Sequence, residues 1–333
     1  MTTTLTARQH DVPALPDRPT GLHRPLLWLS IALAALVPVA ILGAIFDDRV
    51  LLGHPIWMKP LKFAISLALY CGTLSWMLTL QRRGRRLGWW MGTLIAVGIA
   101  VEMVLVMLQV VFRGRQLHFN MSTPSDALIH NIMPAAIYLV WAALFVVGVQ
   151  LLFDKPGDRA LRWSIRLALG TTLVGMALAN LMFRATPAQE AEAAATGKQL
   201  HFGSHSVGVE DGGPGLPITG WSTDGGDLRI GHFLGVHALQ AIPLLALGLV
   251  LLARRFPALR PEGPRVALVF VGSASYATLM GLVTWQALRA ESIAHPGATT
   301  LTAVACWLGT TIGLALLVLF RARRTTLVST PFR

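Results

Sequence analysis

Charge is scarce in this chain. Only 13% of its 333 residues are Asp, Glu, Lys or Arg, whereas 54% are hydrophobic. An ordinary soluble domain carries about 25% charged residues, so the shortage excludes that class. Acids are the rarer sign, 16 against 28 Lys and Arg. Cysteine is nearly absent: Cys71 and Cys306 stand far apart with no C-x-x-C pair, which excludes a disulfide framework or zinc knuckle. Both fall at apolar positions and read as buried core residues. There is no nucleophile motif, no phosphate-binding glycine loop and no H-E-x-x-H, so a hydrolase has the least support.

What is present is length in apolar runs. Eight stretches approach the twenty residues that cross a bilayer: 26–46, 61–80, 89–112, 127–153, 163–183, 230–253, 266–288 and 299–320. They are numbered spans 1 to 8. The first lies behind some 25 largely polar residues and is too long for a signal-peptide core, so it reads as a retained anchor. The expected fold is all-α, an eight-helix transmembrane bundle spanning 26–320, with polar tails at 1–25 and 321–333.

The net charge of +12 is distributed by loop. With the N-terminus inside, the inner segments hold 19 of the 28 basic residues and 5 acids; the outer ones hold 9 basic residues and 10 acids. This is the positive-inside pattern, and it places both termini in the cytoplasm. No stacking aromatics interleave the arginines, so the basic charge speaks for topology and anionic lipid rather than nucleic acid.

One outer connection is long, 184–229. It opens with "PAQEAEAAATGKQ", suited to a short surface helix, and closes with the turn-rich "EDGGPGLPITGWSTDGGD". Loops of this length are lids, binding elements or disordered segments. A six-residue echo joins two outer segments, "RQLHFN" at 115–120 and "KQLHFG" at 198–203. Pro38, Pro134 and Pro243 fall inside spans 1, 4 and 6, where neighbouring helices re-satisfy the freed carbonyls. Small-residue pairs (Gly231 and Gly235, Gly309 and Gly313, Ala96 and Ala100) permit close helix approach.

Polar groups in hydrocarbon are costly, and here they gather in the outer half. Span 3 carries Glu102 and Gln109 on one face, with Arg113 one turn beyond. Glu102 lies roughly 16 Å below Arg113, near the midplane. Span 4 begins with Asp126, His130 and Asn131; span 5 reaches Asn180 near its outer end. Span 2 is entered through "HPIWMKPLKF", which brings His54, Lys59 and Lys62. Span 6 contributes His232, Gln240 and His237, at about 0°, 80° and 140° of one arc. Gln240 lies roughly 16 Å below Arg229, level with Glu102. These positions define an expected outward-facing pocket of Glu102, Gln109, Arg113, His130, Asn180, His237, Gln240 and Lys62, with His232 and His237 as candidate metal ligands.

Each residue also has a plainer reading. A histidine one turn inside a membrane helix commonly hydrogen-bonds a neighbouring helix. A lysine at a helix start commonly reaches for headgroups, which suits Lys59 better than Lys62. A midplane carboxyl such as Glu102 needs a partner, a metal or a proton.

"WMKPLKF" (57–63), together with "GGPGLPITGWSTDGGDLRIGHFLGVHALQ" (212–240), resembles a family of uncharacterised bacterial polytopic membrane proteins. A looser, topological likeness is to haem A synthase. That family has eight helices and haem-ligating histidines near the outer ends of the even-numbered ones. His54, His130, His232 and His295 sit at or just before those ends here. The chain departs from that family in lacking E-x-x-H-R in span 2 and a cysteine pair outside; His54 and His295 each precede proline.

Two functions compete on these residues. One is a haem- or transition-metal-binding protein in a redox or haem-handling role, since imidazole is the common ligand for both. The other is a proton-coupled transporter or receptor for a small polar or anionic solute from the outer side, with Lys62, Arg113 and Arg229 as its cations. A membrane accessory or assembly protein is a third possibility. The topology beneath all three is checked by reporter fusions: one after Arg86 is expected to read inside and one after Gly213 outside.

Overall fold

A computed structural model of the protein describes residues 21–154 and 157–328, with side chains to 324. Eight helices in it are long and apolar enough to cross a membrane: Arg24–Phe46, Met58–Thr79, Arg85–Phe112, Pro124–Phe153, Arg159–Met182, Leu228–Arg255, Glu262–Leu288 and Ala298–Arg324. They match the eight expected spans within a few residues at each end. The chain is therefore an integral, multi-pass membrane protein with an all-α bundle. Most of the 1–25 tail and the end of the 321–333 tail lie outside the described residues.

Two groups of helices make up the bundle. Spans 1 to 4 pack on one another, and spans 5, 6 and 7 pack mutually. Span 4 against span 5 and span 2 against span 6 join the groups, while span 8 lies outside against span 7. Cys71 is buried in the first group as expected, but Cys306 is exposed. It sits on peripheral span 8, whose apolar residues face outward rather than into a core.

Each end of the bundle is tied by polar groups that close on one another. At the arginine-rich end, His23 caps span 1 by accepting from the Leu26 amide (3.3 Å) and reaches the Trp89 carbonyl (2.9 Å). The Ser75 hydroxyl donates to the His23 carbonyl. Arg265 is fully buried there; it pairs with Asp158 at 2.9 Å and donates to the Leu259 carbonyl. Asp158 is itself the N-cap of span 5. At the other end, Asp126 is sealed from solvent and accepts from Gln109 (2.9 Å) and Thr123 (2.6 Å), with Arg113 and Arg115 as ion-pair partners. A buried carboxylate of this kind is stable only when its lone pairs are filled, and here they are.

Span 3 does not end as a plain α-helix. Met107–Phe112 winds as a π turn, so the Arg113 amide donates to the Leu108 carbonyl five residues back. Arg49 donates to the Val111 carbonyl at 2.8 Å. The three span prolines stay inside continuous helices.

The long connection has structure of its own. Pro187–Thr196 forms the expected surface helix, with a capping box between Thr186 and Gln189. Gln189 then holds Gly203 through both its amide groups. The echoing segments prove to be partners: they pair antiparallel, Asn120 opposite His201, with the Phe202 amide on the Phe119 carbonyl. The turn series folds into a tongue, 214–223, whose tip carries Ile218 at φ 67°. A β-branched residue in the left-handed region is a strained exception, held here by the bonds around it.

Gly175 and Gly235 carry the closest approach, between spans 5 and 6. A Cβ added to either glycine would meet the backbone of the other. Gly175→Val is expected to lower stability by at least the upper part of the range of about 1–3 kcal/mol for overpacking, since backbone cannot move aside as a side chain can. Gly170→Ala, on the same helix but facing open space, is expected to be neutral or slightly stabilising. Thermal unfolding in detergent compares the two.

Candidate functional site

Span 6 begins under the tongue, and its polar residues divide between two neighbours. His232 donates from Nδ1 to the Gly175 carbonyl of span 5 at 2.9 Å. The Gly235 contact is what brings that carbonyl so near. His237 turns the other way and meets Ser66 of span 2 through Nε2 at 3.1 Å. Its Nδ1 faces Gln240 Oε1 at 3.3 Å, and the Gln240 amide donates to Thr73. Thr73 in turn donates to the Leu69 carbonyl. Donors and acceptors alternate along this chain, so it bolts span 2 to span 6. Both His237 nitrogens are engaged in it.

The remaining expected residues fall into separate places. Gln109 and Arg113 belong to the Asp126 network, as Arg113 donates to Gln109 Oε1 at 2.7 Å. Asn180 is exposed and bonds to the Tyr138 hydroxyl, away from the bundle interior. Glu102 is buried on the stripe of Ile95, Ile99 and Val106, with Oε1 unpartnered. No hydrogen bond joins it to His237 or Gln240 among the described residues, and span 3 packs on spans 1, 2 and 4 instead.

The densest cluster is one the sequence reading passed over. His118 follows span 3, and His205 lies in the long connection; their rings meet edge to face at 5.7 Å between centroids. Phe119 packs on His205 at 4.9 Å and also touches His130 and Phe183. Phe63 of span 2 covers the far side of His118. His130 accepts the Phe119 amide at Nδ1, so its Nε2 carries the hydrogen. Lys59, from the first turn of span 2, is half-buried beside this group. It makes no hydrogen bond or ion pair within the described residues.

Carboxylates hold the cluster's edges. Asp211 accepts from the His205 and Ser206 amides, the Ser204 hydroxyl and His205 Nδ1, the last at 2.7 Å. These bonds keep its carboxyl well below the usual range, against the opposing effect of burial. Asp227 caps span 6 and pairs with Arg229 at 2.5 Å. Two cations latch the tongue by its backbone: Lys62 donates to the Thr219 carbonyl and Arg229 to the Gly220 carbonyl, each at 2.6 Å. His54 packs against Gly220, which has no room for a side chain. An open basin of about 590 Å³ between Thr223 and Arg289–His295 lies at the same end. Its Glu291 is already taken by Thr300 and Gly297.

Burial pushes the His118 imidazole well below its usual pKa, and the neighbouring Lys59, His205, His130 and His232 push it further. His205 is lowered by burial, which outweighs the raising effect of Asp211. His54 is lowered by burial, then by Lys62 and Arg229. Each ring is therefore neutral in the folded protein at pH 7. The unfolded chain takes up these protons below about pH 6.5, so stability is full above that value and falls as pH drops through it. The melting temperature is expected to decline between pH 7.5 and 5, and His118→Gln to flatten that decline.

No family model, curated protein or solved structure matches the chain, so its function has to be read from these residues themselves.

Proposed function

We propose that the seam between spans 2 and 6 is a binding site for a small anionic solute. The solute enters from the end that carries the long loop, which the basic-residue count assigns to the outside; the proposed membrane is a bacterial inner one. The protein then acts as a receptor or a proton-coupled transporter. One observation carries this reading: among the described residues Lys59 makes no hydrogen bond or ion pair, in a half-buried position where the carboxylates of Asp211 and Asp227 are already hydrogen-bonded. Asp211 is filled by four donors and Asp227 by Arg229 and the Ser222 amide. Lys62 and Arg229 add charge, and both spend it partly on neutral carbonyls. The Thr219 hydroxyl beside Lys62 is buried without a hydrogen-bond partner among the described residues. A cation without a hydrogen-bonded partner among the described residues, beside an orphan hydroxyl, favours an incoming anion.

A second reading has its own support. His205 and His232 each direct Nδ1–H at an oxygen, a carboxylate in one case and a carbonyl in the other. That is how metal- and haem-ligating imidazoles are usually oriented. Among the described residues, however, no three His, Cys, Asp or Glu gather as a metal site. A Soret band or stoichiometric metal in the purified protein would favour this second reading.

The anion reading is tested by thermal shift on detergent-purified protein at low ionic strength. Sodium acetate, succinate, phosphate and sulfate serve as probes. At least one anion is expected to raise the melting temperature by binding only the folded state. Lys59→Met is expected to weaken that anion tenfold or more, since hydrogen bonds to charged groups are worth about 1.5–3 kcal/mol. No shift with any anion would overturn the proposal.

A further inference from the structure

Asp211 does more than hold a loop. Because it accepts from four donors, it stands as a carboxylate, and the hydrogen between it and His205 belongs to Nδ1. The tautomer of His205 is thereby fixed, and Nε2 is left as the ring's acceptor. That nitrogen has no partner among the described residues, and it is not one of the sealed polar atoms. His205 keeps 12% of its side-chain surface accessible. His232 is fixed in the same sense by the Gly175 carbonyl. The cluster therefore offers cations together with imidazole lone pairs, a pairing that a fully ionised anion satisfies only in half.

Resting on the anion reading above, we infer that the site selects an oxyanion bound in a form that keeps a proton: hydrogen phosphate, or a phosphomonoester taken as its monoanion. Its charged oxygens face Lys59, and its O–H donates to His205 Nε2. Sulfate has the same size and shape but no proton to give at this pH. It would set an oxygen lone pair against the nitrogen lone pair and leave both unsatisfied. Sites built around a ligand hydroxyl reject analogues lacking it by large factors for this reason. Arg229 and Lys62 stand close enough to share the ligand's charge, at the cost of their carbonyl bonds to the tongue. Free hydrogen phosphate and the monoanion of a phosphomonoester lipid headgroup present the same O–H and charged oxygens to these residues.

Isothermal titration of the wild-type protein in nanodiscs at pH 7.5 tests this, with phosphate, sulfate and dimethyl phosphate as probes at matched ionic strength. Phosphate is expected to bind about 100-fold or more tightly than either of the others, in line with hydroxyl discrimination in hydrogen-bonding sites. His205→Gln is expected to collapse that ratio. Replacing phosphatidylglycerol by phosphatidate in the nanodisc separates the sources: competition by phosphatidate against soluble phosphate identifies the headgroup, and its absence identifies the free ion. Equal binding of phosphate and sulfate would overturn this inference and leave the anion site standing. So would binding of carboxylates with neither phosphate nor sulfate. Failure of every anion would remove both.

Discussion

Hydrocarbon offers no water to a stranded polar group, and the run Ser66–His237–Gln240–Thr73 is this protein's answer at its weakest seam. The bundle consists of two helix groups that meet along few surfaces. Between spans 2 and 6 there is no apolar gain over lipid to hold them, because lipid tails are as apolar as leucine. A directed chain of hydrogen bonds supplies the attachment. It also fixes the relative height of the two helices. The proposed anion site inherits its geometry from that bolt.

The roof is built on a different principle. Its tongue is held by two cations bound to backbone carbonyls, and its underside by a carboxylate with no free lone pair. A carbonyl is a weaker partner for a cation than an anion is. The arrangement is complete without a ligand yet leaves its positive groups exchangeable. Asp211, by contrast, is not exchangeable, and it fixes the segment 204–206.

The membrane spans were legible because apolar length and basic loops are properties of composition, which survive without knowing any contact. Span 6 was legible in part: its angular arc separates His232 from His237, and the two do reach different helices. Glu102 was legible as a buried acid, but its surroundings were not, since depth along a helix says nothing about which neighbour lies across. Lys59 drew little weight because a lysine at a helix start looks the same whether it reaches headgroups or stands beside a histidine cluster. His118 appeared only as part of an echo. His205 and Asp211 sit in a Gly- and Ser-rich stretch without periodicity; their six-residue spacing was the one available signal. The pairing of the two QLHF segments rests on tertiary contact alone.

The π turn at the end of span 3 has a consequence for how this chain tolerates insertion and deletion. Its extra residue lets one helix keep two registers. The inner turns present Ile95, Ile99, Glu102 and Val106 to the core, while the last turn aims Gln109 and Arg113 at Asp126. Loss of a single residue there would restore a regular helix and improve its local hydrogen bonding. It would also swing Arg113 by roughly 100° away from Asp126. The segment is thus a place where a locally better helix makes a worse protein, and where alignment gaps between related chains carry structural meaning.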